Sequence, residues 1–93
     1  MTVRVKFAVG EHQVDEVVNG ASADELLSQA KERVIQALGW KGIFLRPLTP
    51  VQFGQLVVAK YNENFGTHFP NPATGEEFIE FGLVTGNVQV LER

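Results

Sequence analysis

The chain has 93 residues, 44% of them hydrophobic and 20% charged, a composition typical of one globular domain spanning residues 1–93. Eight Lys and Arg residues against eleven Asp and Glu residues give a formal net charge of -3, which disfavours nucleic-acid binding through a basic face. The absence of cysteine excludes disulfides, thiolate metal sites and cysteine nucleophiles. No apolar run approaches the ~20 residues of a membrane span, and we expect a cytoplasmic protein.

The N-terminal segment alternates between apolar and mostly polar residues, which predicts a half-buried strand over residues 2–9. Its apolar face contains Val3, Val5, Phe7 and Val9. Gly10-Glu11 then marks a turn. A weaker alternation predicts a second strand from His12 to Asn19. Because Glu16 interrupts its apolar face, we expect an edge strand, where an inward-pointing charge is tolerated.

The clearest helix in the sequence runs from Ser22 to Gly39. Ser22 and Glu25 have the spacing of a capping box, and Gly39 can close the helix. Apolar residues recur at steps of three and four and form one stripe: Ala23, Leu26, Leu27, Ala30, Val34, Ala37 and Leu38. A helix with one apolar stripe needs a partner surface to cover it.

The segment after this helix combines a connector with a short apolar run. Trp40-Lys41-Gly42 is the connector. The run Ile43-Phe44-Leu45 is stopped by Pro47, which predicts a brief strand or an extended buried segment.

A second helix is predicted from Thr49 to about Asn64. Thr49 and Gln52 form another capping-box pattern, and Pro50 suits the first helical position. Gly54 inside the helix predicts a close approach by another backbone, since glycine there costs about 1 kcal/mol relative to alanine.

The C-terminal third is predicted to be a loop followed by a hairpin. Residues 67–76 are rich in proline and glycine and form the loop. Glu77 to Thr85 and Val88 to Glu92 are predicted strands joined by a two-residue turn at Gly86-Asn87. This register groups Ile79, Phe81, Leu83, Val88 and Val90 on one face, and Phe78, Val84 and Leu91 on the other.

The element order therefore predicts an α+β fold, ββα(β)αββ, with a small mixed or antiparallel sheet of about four strands and two helices. Two arrangements fit this order. In the first, which resembles a β-grasp in element order, the first and last strands lie side by side and parallel. In the second, two hairpins form one antiparallel sheet that packs under two helices.

No pattern in the sequence indicates catalysis, and we expect no catalytic residue, bound metal or cofactor. The two histidines, His12 and His68, fall in a turn and a loop far apart in sequence, without metal-ligand spacing. The two serines, Ser22 and Ser28, lie outside any nucleophile motif. The chain also lacks a glycine-rich phosphate-binding loop.

Large apolar residues near the long loop and at the exit of the first helix give a candidate contact surface. Its members are Trp40, Phe65, His68, Phe69, Phe78 and Val84. Aromatic side chains anchor protein contacts well. The competing interpretation is that Trp40, Phe65 and Phe69 close the ends of a small core.

These observations favour a small, non-catalytic binding or adaptor module that acts through a protein partner or by self-association. The alternative is a small-ligand binder or enzyme accessory subunit, with a pocket between the second helix and the 67–76 loop that includes His68 or Tyr61. Nucleic-acid binding ranks third, because the net charge is negative.

Overall fold

The computed structural model describes residues 1–9 and 12–92, without the side chains of Val9 and His12. The described elements, in chain order, are β1 (Thr2–Val9), β2 (His12–Asn19), α1 (Ala23–Leu38), a 3-10 helix (Gly39–Phe44), α2 (Pro50–Phe65), α3 (Gly75–Thr85) and β3 (Val88–Glu92). The predicted turn at Gly10-Glu11 lies outside the described residues. Among the described helices, none has the length and apolarity needed to span a membrane.

The sheet has three strands in the order β2-β1-β3, and both pairings are antiparallel. The N-terminal hairpin and the edge position of β2 are confirmed. The predicted count of four strands and the predicted order ββα(β)αββ are not confirmed. β1 and β3 are neighbours, as in the β-grasp-like arrangement, but they run antiparallel, with Val5 opposite Val88. Because α3 leads into β3 through a short connector at Gly86 and Asn87, the direction of α3 sets that of β3.

The predicted C-terminal hairpin is wrong, because residues 75–85 form helix α3. The Thr74 hydroxyl oxygen accepts a hydrogen bond from the Glu77 amide at 3.2 Å and caps the helix. The Ala73 amide donates to Glu77 Oε2 at 2.8 Å. Gly86, at φ 82°, ends the helix in the left-handed region instead of forming a hairpin turn.

The predicted strand at Ile43-Phe44-Leu45 is also wrong, since the chain forms a 3-10 helix from Gly39 to Phe44. Gly42 packs directly on the end of α1, where a Cβ atom would lie 2.6 Å from the Ile35 carbonyl oxygen. This close approach turns the chain tightly. The Lys31 ammonium then donates to the carbonyl oxygens of Arg46 and Leu48, which fixes the turn that follows.

Both long helices begin as predicted. The Ser22 hydroxyl oxygen accepts from the Glu25 amide at 3.2 Å. The capping box of α2 is complete, since the Thr49 hydroxyl oxygen accepts from the Gln52 amide at 3.1 Å and the Thr49 amide donates to Gln52 Oε1 at 2.9 Å. Gly66, at φ 65°, ends α2.

The core lies between one face of the sheet and the three described α-helices. Its largest fully buried side chains include Phe53, Phe78, Leu27, Val3, Val5 and Val34. In the α1 stripe, Ala37 is exposed and Ile35 is buried in its place. The close approach predicted at Gly54 is made by a side chain and not by another backbone. A Cβ atom at Gly54 would lie 3.0 Å from the Phe78 ring.

The other face of the sheet carries no helix and is mostly polar. Across β1 and β2, Arg4 Nε donates to Asp15 Oδ1 at 2.7 Å and Arg4 Nη2 donates to Asp15 Oδ2 at 2.5 Å. These hydrogen bonds hold the pKa of Asp15 below its ordinary value and raise the pKa of Arg4. The pair is solvent-exposed, so its contribution to stability is small and screened by salt.

Candidate contact surface

The six residues predicted to form a contact surface differ in their exposure to solvent. Trp40, Phe65, His68 and Val84 are exposed, and Phe69 is half-buried. Phe78 was assigned wrongly, since its side chain is 0% exposed. As a residue of α3 it points inward, toward Phe7, with ring centroids 5.9 Å apart.

Phe69 belongs to an aromatic network that connects the 67–74 loop with the core. Its ring centroid lies 5.2 Å from that of Phe81 and 5.9 Å from that of Tyr61. Tyr61 in turn stacks against Phe65, with centroids 4.6 Å apart. The core interpretation therefore fits Phe69, whereas Phe65 lies at the solvent end of the network.

The amide side chain of Asn62 makes most of the hydrogen bonds that fasten the loop to α2. Asn62 Nδ2 donates to the Phe69 carbonyl oxygen at 2.9 Å, and Asn62 Oδ1 accepts from the Phe69 amide at 3.0 Å. The Thr67 hydroxyl also donates to Asn62 Oδ1, at 2.8 Å. Asn62 thus pairs with the loop backbone much as a neighbouring strand does, and Gln55 adds a bond to the Pro72 carbonyl oxygen at 3.0 Å.

We expect Asn62→Asp to loosen this loop, because a carboxylate cannot donate to the Phe69 carbonyl oxygen and repels it. Hydrogen exchange at the amides of Thr67, His68 and Phe69 is expected to accelerate about tenfold, which corresponds to roughly 1.4 kcal/mol. Asn64→Asp is the matched control on the exposed side of α2. Equal exchange in the two variants contradicts the fastening role of Asn62.

A cavity beside the loop lies on the side away from α2. Phe69, Pro70 and Pro72 line one wall, and Glu77, Glu80 and Val84 of α3 line the other, enclosing a volume of about 390 Å³. We call this concavity the α3 cleft. Asn62 and Gln55 bond to the loop where the pocket between α2 and the loop was predicted, and neither Tyr61 nor His68 lines the α3 cleft.

The 3-10 helix presents the most concentrated apolar surface. Trp40, Ile43 and Phe44 are 77%, 60% and 74% exposed, and we call these three side chains the Trp40 cluster. With three residues per turn, positions three apart lie on one side of a 3-10 helix. Gly42 and Leu45 share the side that faces the core, Trp40 and Ile43 share a second side, and Phe44 lies on a third; the last three side chains are all exposed.

Sequence reasoning found Trp40 but missed Ile43 and Phe44, because it treated the apolar run as a buried extended segment. The signal that could have found them is the three-residue step from Gly42 to Leu45, which turns the intervening residues outward. Lys41 extends over the Trp40 ring, with Nζ 5.9 Å from its centroid, within cation–π range.

The Trp40 cluster lies within the most basic part of the chain. Residues 31–46 have a net charge of +3 in a chain whose net charge is -3. The basic residues there are Lys31, Arg33, Lys41 and Arg46, and the acidic residue is Glu32. The ion pairs of residues 1–9 and 12–92 lie elsewhere, on the open face of the sheet and on α2.

Comparison with protein-family models, characterised proteins and solved structures finds no match to this chain. In the part of the chain that the structure describes, no three His, Asp or Glu side chains converge to hold a metal ion. His68 is exposed on the loop, and the side chain of His12 lies outside the description.

Proposed function

We propose that this protein is a small non-catalytic module that acts through protein contact, with the Trp40 cluster as its anchor. The observation that carries the proposal is the exposure of three large apolar side chains within residues 40–44. Removing apolar surface from water is favourable by roughly 25 cal/mol per Å². Exposed large apolar side chains that include a tryptophan are characteristic of interaction sites.

The support under the cluster also favours a binding role. Gly42 packs on the backbone of Ile35, Leu45 is buried, and Lys31 holds the turn at Arg46 and Leu48. A cluster held in this way loses little conformational freedom when it is covered. Preorganisation of this kind strengthens binding, because less ordering accompanies association.

The test compares the wild-type protein with a Trp40→Ser/Phe44→Ser variant. A protein captured from lysate by the wild type is purified and titrated against both. We expect the double variant to bind at least about tenfold more weakly, a loss of roughly 1.4 kcal/mol or more. The matched control is Val17→Ser, which removes a half-exposed apolar side chain from the open face of the sheet.

Trp40 supplies a second readout, because it is the only tryptophan in the chain. Its emission is expected to shift to shorter wavelength when a partner covers the cluster. Equal affinity of wild type and double variant, with unshifted emission in the complex, contradicts the proposal.

A further inference from the structure

We infer that the α3 cleft of one copy of this chain receives the Trp40 cluster of a second copy, so that the chains associate head to tail. The inference rests on the proposed role of the Trp40 cluster as a contact surface. It adds the identity of the partner, which is a second copy of this chain. The acidic, apolar α3 cleft of one copy matches the basic, apolar Trp40 cluster of the other.

The two surfaces have opposite charge. Lys41 and Arg46 flank the Trp40 cluster, within a segment of net charge +3. The α3 cleft carries Glu77 and Glu80 on one wall, and Glu76 is exposed beside them. Glu77 is held in place by its bond to the Ala73 amide, whereas the exposed Glu80 is available to a cation. Complementary charge of this kind sets orientation and rejects wrong pairings.

The apolar parts of the two surfaces also match. The apolar lining of the cleft includes the rings of Phe69, Pro70 and Pro72 and the side chain of Val84. Aromatic and proline rings pack well against an indole ring, and the cleft volume of about 390 Å³ admits a large side chain. Trp40 with Lys41 offers both an apolar plane and a positive charge to this site.

A chain cannot fill its own cleft with this cluster. The 3-10 helix follows the C-terminal end of α1. The start of α3 lies at the opposite end of α1, where the Gly75 amide donates to Asp24 Oδ1 at 3.2 Å. A helix of 16 residues is about 24 Å long. A cluster that fills this cleft therefore comes from another molecule, and the charges and apolar surfaces described above fit a second copy.

The charges also favour head-to-tail association over a two-fold pairing of Trp40 clusters. In a two-fold contact made by the two Trp40 clusters alone, Lys41 and Arg46 of each copy would lie near the same basic residues of the other. Like charges across an interface oppose association. A head-to-tail contact leaves one cluster and one cleft free, so assembly continues beyond two chains unless it closes into a ring.

The experiment follows the mass of the full chain by sedimentation, and Trp40 emission by fluorescence, as concentration rises. We expect the wild type to assemble with a blue shift of the emission. Trp40→Ser/Phe44→Ser lacks the cluster, and Glu80→Lys/Val84→Ser lacks the cleft, so each variant alone should stay monomeric. Mixed together, they should form a complex of two chains and no larger one, because only one cluster and one cleft remain. Val17→Ser is the control and should assemble as the wild type does.

Three outcomes overturn the inference, and they separate it from the proposed function. The wild type could stay monomeric with unshifted emission, while the Trp40→Ser/Phe44→Ser variant fails to bind a protein partner that the wild type binds. That result contradicts association with a second copy but supports the proposed function. Assembly of Glu80→Lys/Val84→Ser at wild-type strength assigns the contact to another surface. A monomer whose Trp40 emission shifts on phosphatidylserine vesicles assigns the cluster to a lipid surface and overturns both proposals.

Discussion

Replacing Phe78 with alanine is expected to lower the free energy of unfolding by about 3–5 kcal/mol, the range for truncating a buried phenylalanine. The Phe78 side chain is fully buried, its ring lies 5.9 Å from that of Phe7, and it packs on Gly54. Val84→Ala is expected to change stability by less than about 0.5 kcal/mol, because Val84 is exposed. Urea unfolding followed by circular dichroism measures both values.

This pair of variants distinguishes helix α3 from the predicted hairpin. In a strand, Phe78 and Val84 are an even number of residues apart and share a face, so they would have similar surroundings. In a helix, six residues correspond to about 600° of rotation, which places the two side chains on different sides. Similar stability losses for Phe78→Ala and Val84→Ala would contradict the helix.

The second large effect is expected from a charge placed under α1. Leu27→Asp or Val34→Asp puts a carboxylate where the native side chain is 0% exposed. A buried, unpartnered carboxyl group costs several kcal/mol even when it takes up a proton, and the apolar contacts of the native side chain are lost as well, against a total stability of roughly 5–15 kcal/mol. We expect both variants to lack a cooperative thermal transition and dispersed amide signals in an NMR spectrum.

Gln29→Asp and Gln36→Asp are the matched controls, because both glutamines are exposed on the same helix. Their effect is expected to stay below about 1 kcal/mol, from helix propensity and the helix dipole. If the exposed and buried positions responded alike, the assignment of the inner face of α1 would be wrong.

The elements that could be predicted from the sequence are those that short-range patterns decide. β1 alternates strictly, and α1 and α2 begin at side chains that satisfy their first amides. The edge position of β2 followed from Glu16, which is exposed although it lies between the buried Val14 and Val18. These signals act over a few residues and are visible without knowledge of the fold.

Helix α3 could not be recognised in this way, because nearly every residue from Phe78 to Val84 is apolar or glycine. Such a segment satisfies the two-residue period of a strand and the 3.6-residue period of a helix. The cap at Thr74 and the contact between Gly82 and Val88 decide for the helix, and the second of these is a tertiary contact. The face assigned to Phe78 was wrong for the same reason.

The 3-10 helix likewise depends on a contact outside its own sequence, the packing of Gly42 on Ile35. Without that contact, Ile43 and Phe44 are indistinguishable from core residues, and the Trp40 cluster is seen only in part. The α3 cleft could not be predicted from the sequence, because one of its walls belongs to the helix that was predicted as a strand.

The position of β3 determines when the sheet can form during synthesis. β1 is made before β3, yet it pairs with β3 on one side in the folded sheet. Val5 cannot pair with Val88 until residues 88–92 have been made. Until then, one edge of β1 has unpaired backbone groups. An exposed strand edge templates aggregation. We therefore expect chains that end before residue 88 to aggregate more readily than the intact chain, because they lack the strand that covers this edge of β1.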